Sequence, residues 1–236
     1  MILVHGGGKE VTKVTEQLGK EPKFVVSPSG IKSRYTDKET SEIFTMVMSG
    51  RINKAIVQML QKNGINAVGL SGMDGKTIEA NRKKKLMIMN EKGRKQVIDG
   101  GYTGKISNVN SELIRTIMDK GYTPVISPIA ISEESEFLNV DGDRAAANVA
   151  GHVNSDKVLF ITNVDGLLME DKLVEKLSLE EAKEIMPKIG FGMEKKILAA
   201  TEALEMGVSE ALIANGQREN PISSAIEHNK CTVISK

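Results

Sequence analysis

Asn139, Asp141 and Asp143 alternate along Leu138–Ala150, where a short apolar step crosses a Gly-containing turn into an Ala-rich run of strong helix propensity. The pattern gathers an amide and two carboxylates where a helix presents unpaired backbone N–H groups. It also reads as an aspartate N-cap on a turn. Its company widens the chemistry. His5-Gly6-Gly7-Gly8 follows an apolar strand and opens a helix. Glycines there expose backbone N–H groups and let an anion come close, with the helix dipole adding to the attraction. Gly190-Phe191-Gly192-Met193-Glu194-Lys195-Lys196 is a second glycine loop opening a helix. It suits a phosphate beside an ammonium, although paired helix lysines also serve as solvated charge. Arg34, in Ser33-Arg34-Tyr35-Thr36, can clamp a carboxylate in bidentate fashion or stand as a surface group. Asn163-Val164-Asp165-Gly166 is a further polar turn.

Other site chemistries are excluded by spacing. Gly69-Leu70-Ser71-Gly72-Met73-Asp74-Gly75-Lys76-Thr77 resembles a Walker A loop, but Leu70 stands where the first glycine is required. No Gly-x-Gly-x-x-Gly follows a strand, and no Gly-x-Ser-x-Gly elbow occurs. His5, His152 and His228 lack ligand spacing, so no protein-held metal is expected. The single cysteine, Cys231, rules out an internal disulfide framework and reads as a small apolar strand residue. A net charge of +1 over 236 residues argues against a nucleic-acid partner. No apolar run reaches the length of a membrane span, and the N-terminus lacks signal-peptide form, so a cytoplasmic location is expected.

These residues need a scaffold of strands feeding helices. Ile2–Val4, Phe24–Val26, Ile65–Leu70, Thr123–Ser127, Lys157–Thr162, Ala211–Ala214 and Thr232–Ile234 read as short apolar strands. Helical spacing runs from the glycine loop to Leu18 and from Lys38 to Asn63, where Gly50 marks a bend or break and Gly64 a stop. It returns at Ser111–Lys120, from the Asp141 turn to His152, and at Leu179–Ile185, Met193–Met206 and Ile222–Glu227. The alternation predicts an α/β fold, a three-layer αβα sandwich with a mainly parallel central sheet. Residues 77–108 are the exception: short alternating strands around the turn Asn90–Gly93 predict an antiparallel β-hairpin.

In order along the whole chain, His-Gly-Gly-Gly, Ser-Arg-Tyr-Thr, Asn-Val-Asp-Gly-Asp, Thr-Asn-Val-Asp-Gly and Gly-Met-Glu-Lys-Lys resemble the amino acid kinase family, in its N-acetylglutamate kinase branch. Ser33–Thr36 and Gly100-Gly101-Tyr102-Thr103-Gly104-Lys105-Ile106 look most like the archaeal kinases of lysine and arginine synthesis. Those phosphorylate 2-aminoadipate or glutamate carried on the small acidic amino-group carrier protein LysW. The resemblance implies a carbamate kinase-like fold, a homodimer, and transfer of the ATP γ-phosphoryl group to a side-chain carboxylate. Such a nucleophile is ionised at neutral pH and needs no general base, which agrees with a chain lacking any catalytic triad. What the site must supply is alignment of two anions and donors for the charge on the transferring group. The alternatives are a kinase of free N-acetylglutamate, a catalytically impaired binding protein and a small-anion binding module.

By position, the resemblance implies that Gly7 and Gly8 donate to the acceptor carboxylate, Arg34 holds the substrate α-carboxylate and Asn139 completes that pocket. Asp143 orients the cationic groups, and Lys196 stabilises charge on the transferring phosphoryl group. Asn163, Asp165, Gly166, Leu168 and Gly192 border ATP, whose phosphates carry Mg2+ with few protein ligands. Asn163 stands where many relatives have aspartate. Residues 1–155, with the hairpin, form the acceptor lobe, and 156–236 the ATP lobe. Residues 82–95 carry Arg82, Lys83, Lys84, Lys85, Lys92, Arg94 and Lys95 against Glu91 alone, a patch suited to steering an acidic carrier or simply to solvation. Family members also place a strand with a lysine, a Gly-Gly loop and a helix before the His-Gly-Gly-Gly strand. The expectation is that this βα unit of roughly 30 residues is missing here. Losing one preorganised donor of that kind costs about 3–4 kcal/mol of barrier.

Overall fold

The computed structural model describes residues 1–190 and 192–236. Backbone proximity divides them into two compact units, Met1–Ala145 and Ala146–Lys236.

The first unit opens with β1 (Leu3–Val4), α1 (Gly8–Gln17) and a small hairpin of β2 (Phe24–Val26) and β3 (Lys32–Arg34). A helical run follows as α2 (Lys38–Thr45), a π-helical segment Met46–Ile52, and α3 (Asn53–Lys62). Then come β4 (Ala67–Ser71), β5 (Ile78–Arg82), β6 (Lys85–Met89), β7 (Lys95–Asp99) and β8 (Gly104–Val109). After α4 (Ser111–Asp119) the chain forms β9 (Thr123–Ser127), β10 (Ile129–Ile131) and β11 (Phe137–Asn139), and enters α5 (Gly142–His152), within which the unit boundary falls.

Strand β9 lies between β1 and β4, parallel to both, with Leu3 against Val125 and Leu70 against Ile126. Val125 and Ile126 are fully buried, as β-branched residues covered on both faces of a parallel sheet must be. A second sheet runs β11-β10-β5-β8, mixed in direction. The region read from sequence as a hairpin is two nested antiparallel pairs: β5 with β8, and inside them β6 with β7 across the Asn90–Gly93 turn. Val11, Ile43, Phe44, Val47, Met48 and Ile129 cluster beneath α1 and the helical run. Each fully buried aliphatic side chain of this kind contributes about 1.5–3 kcal/mol.

Gly50 departs from the expected break. Helical backbone continues through it, absorbed by the seven-residue π segment. A π turn admits one extra residue without ending the ladder, and Asn53, immediately after it, is fully buried.

The second unit contains β12 (Lys157–Thr162), β13 (Leu168–Met169), β14 (Lys172–Leu173) and β15 (Lys176–Ser178). It continues with α6 (Leu179–Ile185), α7 (Met193–Glu205), β16 (Glu210–Asn215), α8 (Pro221–Ile226) and β17 (Cys231–Ser235). Its sheet runs β12-β16-β17-β15. The β12–β16 and β15–β17 pairs are parallel, while β16–β17 is antiparallel, so parallel pairing is less uniform than the sequence suggested. Ala199, Ala200 and Ala203 of α7 are fully buried with Ile213 and Leu204 in the unit's core. Small residues let that helix lie close on β16. Cys231 is buried in β17, as its type implied. Helix α6 starts on a capping box: Ser178 Oγ accepts from the Glu181 amide at 3.1 Å, and Glu181 Oε2 from the Ser178 amide at 2.7 Å. No helix among the described residues is long and apolar enough to cross a membrane.

Candidate active site

In the first unit the glycine loop follows β1 at the carboxyl end of the parallel strands, where α/β folds place ligands. The His5 amide still donates to Ile126, at 3.2 Å, after which the chain leaves the sheet. Gly7 is the N-cap of α1, and the Val11 amide donates to its carbonyl at 3.0 Å. The amides of the preceding turn therefore have no intrahelical acceptor. A side chain at Gly7 would meet Ile52 Cδ1 at 2.2 Å and Met48 Sδ at 2.7 Å, whereas Gly8 faces open space. Gly7 is thus fixed by packing, and Gly8 is free to face a ligand. A groove of about 700 Å³ opens beside both, bordered by Arg51, Ile52, Ile56 and Met59.

Arg34, at the end of β3, reaches this helix start. Its Nη2 donates to the Gly8 carbonyl at 3.0 Å and to Thr12 Oγ1 at 2.7 Å. Phe24, its register partner on β2, lies with its ring centre 5.0 Å from the guanidinium. Nη1 is buried and has no hydrogen-bond partner among the described residues. Burial lowers the pKa from the ordinary arginine value, yet the group keeps its charge. A half-buried guanidinium with Nη1 left over is able to bind an oxyanion. Thr12, which accepts from Arg34, carries no motif that would have marked it in the sequence.

Asn139 is tied to the same neighbourhood. Its Nδ2 donates to Thr36 Oγ1 at 2.9 Å, two residues beyond Arg34, and its amide donates to Tyr102 at 2.9 Å. The Tyr102 amide in turn donates to the Thr36 carbonyl at 2.6 Å. That stitching needs Gly101, whose φ is +59° and whose Cβ would fall 2.3 Å from the Thr36 carbonyl. The Asp141 turn behaves as a cap: Asp141 Oδ1 accepts from the amides of Asp143 and Arg144, at 3.1 and 3.2 Å. A Cβ on Gly142 would lie 3.7 Å from the His5 carbonyl. The start of α5, with Asp143, therefore sits against the glycine loop. Within the first unit, Arg34 bonds the start of α1 at Gly8, Asn139 bonds Thr36 two residues beyond Arg34, and the helix turn carrying Asp143 begins beside the glycine loop.

The basic hairpin differs from expectation at one residue. Arg82 Nη1 pairs with Glu136 at 2.7 Å, Nε donates to the Gly101 carbonyl at 2.7 Å, and the guanidinium stacks 4.1 Å from the Tyr102 ring centre. Its charge is spent on anchoring the hairpin base, because a partly desolvated guanidinium needs a counter-charge. Lys84, Lys85, Lys92, Arg94 and Lys95 also lie in or beside the β6–β7 pair, where Asp99 faces Lys85 across the strands. Glu136 and Tyr102 are the anchors that the sequence did not reveal.

The second unit forms its own polar cluster. Thr162 and Asn215 end β12 and β16 in register. Asn215 Nδ2 donates to Asp165 Oδ1 at 3.0 Å, and Thr162 Oγ1 lies 3.4 Å from Asn163 Oδ1. Gly166 is a steric requirement, since a Cβ there would meet Thr232 Oγ1 at 2.4 Å. The Leu167 amide donates to the same hydroxyl at 2.8 Å, and Leu168 follows, exposed, at the start of β13. Helix α7 turns directly into β16 through residues 206–209, so its N-terminus lies at the end of the sheet where Asn163 and Asp165 are. Gly192 caps that helix with φ +96°, and Lys196 is in its first turn, partly exposed. Phe191 of this loop lies outside the described residues. The cluster can meet an anion with helix amides, an ammonium and side-chain amides.

The sequence pattern of the amino acid kinase family matches residues 1–215. A LysW-aminoadipate/LysW-glutamate kinase of Sulfolobus acidocaldarius is 48% identical over 235 residues, covering 99% of this chain and 89% of that protein. A protein of Nitrosopumilus maritimus provisionally given the same name is 82% identical over 234 residues, covering 99% of this chain and 88% of its own length. Among solved structures, the protein smu.665 from Streptococcus mutans superposes with a TM-score of 0.79 at 22% identity, over 99% of this chain and 85% of that one. Giardia carbamate kinase superposes with a TM-score of 0.63 at 15% identity, over 98% of this chain and 82% of that one. Both likenesses concern the fold, which is α/β with parallel sheet strands and an antiparallel hairpin. On the match across its first 215 residues and the identity to its archaeal relatives, this chain belongs to the amino acid kinase family.

Proposed function

We propose that this chain transfers the γ-phosphoryl group of ATP to the side-chain carboxylate of LysW-bound 2-aminoadipate, and of LysW-bound glutamate, in lysine and arginine biosynthesis. A carboxylate oxygen bonds to the γ-phosphorus as the bond to the β,γ-bridging oxygen breaks. ADP leaves, an acyl phosphate remains, and no proton is removed because the nucleophile is already ionised. Residues 1–155 act as the acceptor lobe and 156–236 as the nucleotide lobe. Gly7 and Gly8 donate to the reacting carboxylate, Arg34 and Asn139 hold the amino-acid end, and Asp143 orients the cationic groups. Asn163, Asp165, Gly166, Leu168 and Gly192 border the nucleotide, and Lys196 neutralises charge on the moving phosphoryl group. Mg2+ arrives with ATP. Lys83, Lys84 and Lys85 steer the acidic carrier.

Arg34 supports the reading most. Its half-buried guanidinium has an unused Nη1 beside the open start of α1, and that arrangement suits an oxyanion. The names of the archaeal relatives support the carrier-linked acceptor. A homodimer working in the cytoplasm completes the reading: Met46 and Met59 are 56% and 66% exposed on the helical run, apolar surface that a second copy would cover.

The test is acyl phosphate formation, trapped with hydroxylamine, from ATP and LysW bearing 2-aminoadipate or glutamate. Turnover of the carrier-linked acceptors, with free N-acetylglutamate inert, is the expected result. Turnover of free N-acetylglutamate alone overturns the carrier assignment, and no acyl phosphate from any acceptor overturns the kinase reading.

A further inference from the structure

Arg218 lies in the turn after β16, three residues past Asn215, in the neighbourhood of the Asn163–Leu168 loop. Asn215 bonds both sides of that neighbourhood: Nδ2 donates to Asp165, and Oδ1 accepts from the Gln217 amide at 2.9 Å. The guanidinium reaches across to β17, where Nη1 donates to the Lys230 carbonyl at 2.7 Å. Ala214 and Cys231 are register partners there, so this bond pins the head of Arg218 to the edge of the sheet's carboxyl end. Burial pushes the Cys231 thiol up, and the nearby Arg218 charge partly opposes it.

The other edge of the guanidinium is unused. Nε and Nη2 are both shut off from solvent, and neither has an acceptor among the described residues. These two N–H groups point the same way and form the fork that takes two oxygens of one carboxylate or phosphate. Leaving charged donors buried without an acceptor is costly, so such an edge needs an oxyanion. None of the described residues supplies one. Glu219, the adjacent carboxylate, is exposed and makes no ion pair with Arg218, and Glu210 is taken by Lys157 and His228. Gly216, Gln217, Glu219 and Asn220 around it are exposed, so the fork lies under a surface turn rather than within the core, and that turn must shift for an anion to reach it.

We infer that Arg218 is an oxyanion-binding centre in the second unit, taking a phosphate group in bidentate fashion through Nε and Nη2. The phosphate belongs either to the nucleotide or to a free small anion. The nucleotide source rests on the reading of this unit as the ATP lobe; the free anion does not.

Calorimetry with ADP and adenosine, and thermal melting with inorganic phosphate, on the full chain and on Arg218→Ala and Arg218→Lys decide the matter. Lysine keeps one donor for the Lys230 carbonyl but has no fork, so it reports even where the alanine variant fails to fold. If the nucleotide is the source, ADP binds the variants roughly 10–100-fold more weakly while adenosine binds unchanged. If a free anion is the source, ADP affinity is unchanged, but phosphate stabilises the parent chain and not the variants. ADP affinity and phosphate stabilisation both unaltered in Arg218→Lys overturn the inference. If the parent chain binds neither ADP nor adenosine, the nucleotide reading falls and the phosphate melting alone decides Arg218.

Discussion

Arg34 Nη2 stands 3.0 Å from the Gly8 carbonyl, joining the end of one short strand to the first turn of a helix 26 positions earlier. The contact uses one nitrogen of the fork on the protein itself and leaves Nη1 without a partner among the described residues, the nitrogen that the proposed reading gives to the acceptor. Arg34→Ala is therefore expected to raise the KM for the carrier-linked acceptor roughly 10–100-fold, with the KM for ATP unchanged. Arg34→Lys recovers little, because an ammonium cannot serve Gly8, Thr12 and a carboxylate in one plane. Steady-state kinetics with each substrate varied in turn checks this. An equal rise in both KM values would remove Arg34 from the acceptor pocket.

Lys196 is in the first turn of α7, behind a glycine cap that leaves the helix N–H groups available. On the proposed reading, a cation there acts on charge that grows as the phosphoryl group moves, and so stabilises the transition state more than bound ATP. Lys196→Ala is expected to lower kcat by roughly 10²–10³ while ATP affinity changes little. Single-turnover rates and equilibrium nucleotide binding separate the two effects. A variant with weaker ATP binding and unchanged kcat would make Lys196 a binding residue only.

Long segments with one dominant periodicity were legible in the sequence. Ser111–Asp119, Thr123–Ser127, Lys157–Thr162 and Leu179–Ile185 fall where their patterns place them, each carrying at least a full turn of helix or five residues of strand. The short strands Leu3–Val4 and Phe24–Val26 were legible as unbroken apolar runs, whereas Lys32–Arg34, Ile129–Ile131 and Leu168–Met169 carry too few residues to show a period. The glycines at the site were legible from their place between strand and helix, although the contacts that require them, Met48 and Ile52 for Gly7 and Thr232 for Gly166, lie far away in sequence. The partners were not. Thr12 for Arg34, Glu136 for Arg82 and Thr36 for Asn139 are brought in from 22, 54 and 103 positions away. Only the folded topology makes those pairs neighbours.

The hairpin lysines invite a salt-dependent test. Reversing Lys83, Lys84 and Lys85 to glutamate is expected to slow carrier association roughly tenfold or more at low ionic strength. The difference shrinks as added salt shortens the screening length. Arg82 is left out, since breaking its pair with Glu136 would loosen the hairpin base. Stopped-flow association at several salt concentrations reads the effect, and rates equal to the parent's at low salt would end the steering proposal.

Beneath the glycine loop, His5 and Asn53 make the fold sensitive to pH. Asn53 Nδ2 donates to the Val125 carbonyl at 2.9 Å and to His5 Nε2 at 3.2 Å, while Lys54 Nζ donates to Asn53 Oδ1 at 3.1 Å. The amide orientation is thereby fixed, and Nε2 must be the unprotonated nitrogen, with Nδ1 donating to the Gly6 carbonyl at 3.0 Å. Burial drives the His5 pKa below its ordinary 6.5, and the Gly6 bond only partly opposes it. Protonation would set an N–H against the Asn53 amide donor. The unfolded chain thus binds more protons than the folded one between the depressed pKa and 6.5. The His5 contribution to stability is full above that window and is lost as pH falls through the folded pKa. Urea unfolding at pH 8 and pH 5 is expected to show a loss that is smaller in His5→Gln, which cannot titrate. Asn53→Ala, by orphaning the Val125 carbonyl, should cost about 1–3 kcal/mol even at pH 8. An equal pH dependence in His5→Gln and the parent chain would show that His5 does not carry this proton.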